Sequence, residues 1–204
     1  MTTDRLRRIR DVTDNFFFWQ GLRWVPMGVA MLGFATAYSP RVPIPSSLRA
    51  WIGLPTFVLA LWLSSSVLGR YYNRHFGRVR GDPSRHVVRT TIKWLVVYPA
   101  ITVALFADAR LGPPVIVSSL AFAIAIEAYR QSTGGGREHY IVASLGLVAF
   151  SILPLFGVLP PGKPILASLI GILGFIYIVG GVLDHRELVR ILTPIPEEPR
   201  VSSL

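Results

Sequence analysis

The 204-residue chain contains no cysteine. That excludes a disulfide framework, a thiolate metal site, a cysteine nucleophile and dithiol redox chemistry. Charge is also scarce: Asp, Glu, Lys and Arg make up 16% of the residues, against about 25% in an ordinary soluble domain. Lysine is almost missing, with Lys93 and Lys163 standing among nineteen arginines. Rarest of all is an ionisable group inside a long apolar run. Lys93 and Glu127 intrude, each near the end of a run, where a long side chain reaches water. Proton-coupled transporters, pumps and voltage sensors need ionisable groups at membrane depth, and this sequence supplies none. Catalytic signatures are missing too. There is no Walker sequence, HExxH, GxSxG, rhodopsin-type lysine or CDP-alcohol-transferase aspartate pattern.

Hydrophobic residues make up 51% of the chain, and mean hydropathy is +0.50. Six apolar spans can be drawn, at Trp24–Tyr38, Ala50–Leu68, Thr90–Phe106, Pro113–Ala128, Tyr140–Val158 and Pro164–Leu183. A helix rises about 1.5 Å per residue, so spans of this order match a hydrocarbon core of about 30 Å. Backbone polar groups in lipid must be satisfied within the segment, which leaves helices or closed barrels. Runs such as Leu95–Leu105 and Leu169–Leu183 lack the alternation of a barrel strand. The expected fold is therefore an all-α integral membrane protein, a bundle of about six transmembrane helices. It forms one domain over residues 1–204: a basic arm at 1–23 with an interfacial aromatic segment, the bundle at 24–185, and a tail at 186–204.

Charge sets the expected topology. The arm, the second-to-third and fourth-to-fifth connections and the tail hold seventeen of the twenty-one basic residues. The opposite connections hold Arg41, Arg49, Arg110 and Lys163. Cytoplasmic loops carry the excess of positive charge, so both termini are expected in the cytoplasm. The same rule accounts for a pI near 10.8 without a nucleic-acid partner. Arginine-heavy usage points to a bacterial chain in the plasma (inner) membrane. The start resembles a signal peptide, with an A-x-A pattern at Ala35-Thr36-Ala37, but the long n-region carries Asp4, Asp11 and Asp14 and argues for retention.

Outer connections are short and proline-rich, whereas inner ones are longer and basic, above all Gly69–Arg89. The pattern suggests three consecutive helical hairpins. Pro26, Pro55, Pro99 and Pro154 fall inside four spans, where kinks are expected. Ala167 and Gly171 form a small-x-x-x-small pair on the last span, suited to internal packing or to a homo-oligomer. Gly134-Gly135-Gly136 reads as a flexible inner turn. It is no phosphate loop, lacking the Gly-Lys-Ser/Thr ending.

The polar candidates are few. Ser119, Ala123 and Glu127 share one face of the fourth span, and Arg130 stands where it can pair with Glu127. Asp184 and His185 follow Gly180-Gly181 at the inner end of the last span, and with Glu127 they are the candidate acid–base residues. All four histidines fall on the inner side, and His75, His139 and His185 are the candidate metal ligands, although no spacing is tight. Arg74, Arg78, Arg80 and Arg85 are the candidate contacts for anionic lipid or a partner protein. No cofactor is implied. The expected function is a non-catalytic accessory, sensor or regulatory subunit working through its basic cytoplasmic face. Two alternatives stand beside it: a facilitator for a small neutral or hydrophobic solute, lined by mid-span hydroxyls, and a membrane enzyme acting on lipid headgroups.

Overall fold

A computed structural model describes residues 12–13, 16–39, 42–76, 83–111, 114–132, 137–158 and 163–192. Among them every regular element is helical. The order is α1 (Phe16–Trp19), a 3-10 turn (Gly21–Arg23), α2 (Val25–Ala37), α3 (Ser46–Trp62), a π turn (Leu63–Val67) and α4 (Leu68–His75). Then come α5 (Pro83–Leu111), α6 (Val117–Ser132), α7 (Glu138–Ile152), a 3-10 turn (Leu153–Phe156) and α8 (Lys163–Leu192). Among the described residues each of the six apolar spans is mostly helical, the second crossing α3, the π turn and α4.

Among the described residues two helices, Glu138–Phe156 and Ile165–Leu192, are long and apolar enough to cross a membrane. Helices α2 and α6 have 13 and 16 residues, fewer than the roughly 20 of a continuous α-helical span. The structure thus carries the all-helical part of the expectation, and the membrane part for two helices. Outward faces are nonetheless apolar along the rods: Leu54, Leu95, Ile124, Val142 and Phe175 are exposed, one on each of α3, α5, α6, α7 and α8.

The closest helix pair is α2 with α8, and its cause is glycine. A Cβ added to Gly28 would lie 2.6 Å from the Gly174 carbonyl oxygen, and one on Gly181 would lie 2.5 Å from that of Gly21. Gly171 meets Ala35 further along. Gly21, Gly28 and Ala35 therefore recur every seven residues against an antiparallel run of small residues on α8, so the two backbones touch. This is the internal use of Gly171 that its spacing suggested.

Helix α6 packs on α7 with hydroxyls as cross-links. Ser119 Oγ donates to the Leu147 carbonyl at 2.7 Å, and Ser144 Oγ donates to that of Ala123 at 3.3 Å. The Ile116 amide donates to the Ser151 carbonyl at 2.9 Å. At the same end, Asp108 on α5 accepts from the Val117 and Ser118 amides, both at 2.8 Å. It thereby caps α6 from a neighbouring helix. Ile116, Ala123, Leu147, Phe150, Leu169 and Leu173 form the main core, which fills the gap between the α6–α7 pair and α8. The tightest pairings, α2 with α8 and α6 with α7, thus run between the expected hairpins.

Three expectations need correction. The segment Gly69–Arg89 is largely helix, because α4 runs on to His75 and α5 starts at Pro83. Pro26 stands in the first turn of α2, and Pro154 opens a 3-10 turn at the end of α7. Neither interrupts a helix, since the N–H that proline lacks has no helical partner at that position. Pro55 and Pro99 do lie inside helices. Two aromatics of the arm, finally, pack inside the protein. Phe16 and Trp19 are buried against Tyr72 and Leu188, and Arg23 Nε donates to the Ser64 carbonyl of the π turn at 3.1 Å. The inner turn Gly134–Gly136 lies outside the described residues.

Candidate functional site: a closed polar cluster at one end of the bundle

Five segments that are remote in sequence meet at one end of the molecule: the aromatic arm, the end of α4, the end of α6, the start of α7 and the last third of α8. Their meeting point is Asp184, which is fully buried. Gly21 and Gly181 bring the first turn and α8 together beside it, so close that a Cβ on Gly21 would strike the Asp184 side chain. Tyr140, near the start of α7, packs its ring on Gly180 and donates its hydroxyl proton to Asp184 Oδ2 at 2.9 Å.

Arg137, the residue that opens α7, supplies the counter-charge. Its Nη1 lies 3.4 Å from Asp184 Oδ2, and only 1% of the residue is exposed. The guanidinium sits 4.1 Å above the Trp19 ring centroid, with Tyr129 and Tyr140 at 5.5 and 6.0 Å. Nη1 also donates to the Tyr129 hydroxyl at 3.1 Å, and that hydroxyl donates to the Phe18 carbonyl at 3.3 Å. A desolvated cation over aromatic faces is stabilised by their quadrupoles. Arg137 therefore ties the arm, α6, α7 and α8 together.

A second knot adjoins it. The Leu22 amide donates to the Tyr72 hydroxyl at 3.1 Å, and that hydroxyl meets His185 Nδ1 at 3.0 Å. The Tyr72 hydroxyl thus joins the first turn to α8 through one oxygen. Burial pushes the Tyr72 and Tyr129 hydroxyls up to about 12. Both are fixed hydrogen-bonding groups at neutral pH and move no proton.

The predicted residues divide. Asp184 and His185 are neighbours in sequence but serve different partners, Arg137 with Tyr140 in one case and Tyr72 in the other. Glu127 joins neither: Arg130 Nε and Gln131 Nε2 donate to its carboxylate at 2.8 and 2.9 Å. The pairing of Glu127 with Arg130 is the one its spacing suggested. Ser119 and Ala123 on the same face are buried, as that face implied. His139 Nε2 approaches Asp184 Oδ1 at 3.3 Å, whereas His75 Nδ1 meets the Tyr71 carbonyl of its own helix. The three candidate metal ligands thus go to three places. Among the described residues no group of three or more His, Asp or Glu side chains is placed to hold a metal ion. Arg74 is exposed in the last turn of α4. Arg78 and Arg80 lie outside the described residues, and of Arg85 the helical backbone alone is described.

Several mid-span hydroxyls donate to backbone, whereas Ser64 Oγ is buried without a hydrogen-bond partner. Thr36 donates to the Leu32 carbonyl at 2.8 Å, Ser65 to that of Leu61 at 2.8 Å, Thr102 to that of Tyr98 at 2.9 Å and Ser151 to that of Val148 at 2.6 Å.

Arg137, the centre of the site, was read in the sequence only as one more inner-side positive charge. A signal was present: a carboxylate at the end of an apolar helix requires a counter-charge, and Arg137 opens the neighbouring one. No family model, curated protein or solved structure matches the chain.

Proposed function

We propose that the chain is a polytopic protein of the plasma (inner) membrane. It crosses six times with both termini in the cytoplasm, and acts as a non-catalytic accessory, sensor or regulatory subunit through its basic inner face. The observation that carries this reading is the closed polar cluster. Asp184 and Arg137 are buried against each other where five segments meet, which is the build of a structural lock, while the surfaces that face outward along the helices are apolar. A headgroup enzyme acting through Asp184, His185 and Glu127 would need those groups convergent and open, whereas they do not converge and Asp184 is fully buried. A solute path would need free hydroxyls along the spans, and six of them donate to backbone carbonyls.

We take the inner face as the helix ends that meet at Asp184; Arg74 on α4 and Arg186 and Arg190 on α8 are exposed on helices that end there. Each cytoplasmic arginine contributes roughly 1 kcal/mol of attraction toward an anionic leaflet. Because the chain has no cysteine, single cysteines introduced at Arg74 and at Val158 report sidedness without background. Arg74→Cys is expected to label only from the cytoplasm and Val158→Cys only from outside; labelling of both from one side refutes the topology. Charge reversal at Arg74, Arg78 and Arg80 is expected to weaken capture of a partner protein or of anionic vesicles. Unchanged capture of both refutes the role of the inner face.

A further inference from the structure

Arg137 uses only one side of its guanidinium. Nη1 serves Asp184 and Tyr129, while Nε and Nη2 are buried with no hydrogen-bond partner. Nε–H and one Nη2–H point the same way and form the two-pronged edge that matches a carboxylate or phosphate. The Trp19 indole Nε1–H, on the ring stacked against that guanidinium, is also buried and unpartnered. So are His139 Nε2 and Asp184 Oδ1, which face each other at 3.3 Å. Buried polar groups are almost always satisfied, and leaving one unmade costs as much as breaking a hydrogen bond. Five such atoms gathered around one side chain call for a missing partner.

The chemistry of the set identifies that partner's class. His139 Nε2 and Asp184 Oδ1 need only a small reorientation to satisfy each other. That leaves donors alone: the Nε–Nη2 edge of Arg137 and the indole N–H of Trp19. Neither tyrosine hydroxyl turns toward them, since Tyr140 donates to Asp184 and Tyr129 to the Phe18 carbonyl. Water brings donors as well as acceptors and fits an all-donor set poorly, whereas an oxyanion brings acceptors only. The positive end of α7 begins at Arg137 and adds a favourable field for negative charge.

We propose that the free edge of Arg137, together with the Trp19 N–H, is a binding site for one phosphate-type oxyanion. The site stands on the geometry of Arg137. Only the lipid headgroup as a source rests on the membrane reading above, a free anion being the other source. The bound anion would pin the aromatic arm to α7 through Trp19.

The test uses the full chain, purified in detergent and stripped of lipid, with thermal unfolding followed as inorganic phosphate or short-chain phosphatidylglycerol is added. The matching diacylglycerol, which has the same chains and no phosphate, is the control. Protection by inorganic phosphate identifies a free-anion site. Protection by phosphatidylglycerol alone, with none from diacylglycerol, identifies the headgroup. Trp19→Phe keeps an aromatic face beneath Arg137 but removes the N–H and part of the ring, so it lowers the anion-free melting temperature. Measured against its own anion-free protein, it is expected to weaken binding about tenfold. Arg137→Lys keeps the charge opposite Asp184, removes the fork and is expected to weaken binding further. Carbonate extraction scores membrane insertion separately. A chain that inserts but is protected by neither probe overturns the site and leaves the membrane reading standing. Unchanged affinity in Trp19→Phe together with Arg137→Lys overturns it as well.

Discussion

Removing the guanidinium of Arg137 tests the lock most directly. Asp184 is fully buried, and besides the Tyr140 hydroxyl at 2.9 Å its close polar neighbours are Arg137 at 3.4 Å and His139 at 3.3 Å. Arg137→Gln leaves that carboxylate without its counter-charge in a site closed to water, and it also strips the cation from the Trp19 face. Breaking a buried pair from one side costs about 3–5 kcal/mol. For a chain of this size that corresponds to a fall of about 6–20 °C in melting temperature. Asp184→Asn strands the arginine instead and is expected to cost a comparable amount. The double variant leaves two neutral amides where two charges stood. It is expected to recover a large part of the loss, with a coupling between the sites of about 0.5–3 kcal/mol. The assay is unfolding of the four proteins in one detergent, read both by helical circular dichroism and by tryptophan fluorescence, since Trp19 belongs to the lock. Single variants that each cost under about 1 kcal/mol, or a double variant whose loss is the sum of the two singles, would refute the reasoning.

The glycine seam makes a second prediction. Gly28→Leu must force α2 away from the Gly174 backbone and is expected to destabilise by about 1–3 kcal/mol or more. Gly33→Ala, where a Cβ meets nothing within 4 Å, is expected to be neutral or stabilising by up to about 1 kcal/mol. Equal melting of the two variants would contradict the seam. Asp108→Ala removes the acceptor for two amides of α6 and is expected to cost about 0.5–2 kcal/mol, measured by the same unfolding assay. Asp108→Asn, which keeps an acceptor, is expected to lose less, and a harmless Asp108→Ala would show that water caps α6 instead.

Much of the fold was legible because it rests on local rules. Six apolar runs, proline at the outer turns and arginine at the inner ones place six helical rods. The pairing of Glu127 with Arg130 was readable because both stand on one helix, three residues apart. Arg137 with Asp184 was not readable, because 47 positions separate them in sequence and no periodicity connects two helices. The cap that Asp108 places on α6 escaped for a similar reason: it comes from the end of the preceding helix, beyond the reach of an ordinary N-cap pattern. Gly180-Gly181 was visible as a glycine pair, but its partners, Tyr140 for Gly180 and Gly21 for Gly181, were not.

By itself the sequence determined what the chain can be made of: helices, since the apolar runs are too long and too unbroken for strands, and no cysteine or intramembrane-carboxylate chemistry, since the groups are missing. Tertiary structure decided which helices touch and what the few polar residues do. It set α2 against α8 because their glycines let two backbones meet. It enclosed Asp184 with Arg137 because a charge taken out of water must find its opposite, and it separated His185 and Glu127 from them because each had a nearer partner. Composition and period are summed along the chain, whereas a buried charge is satisfied only in space.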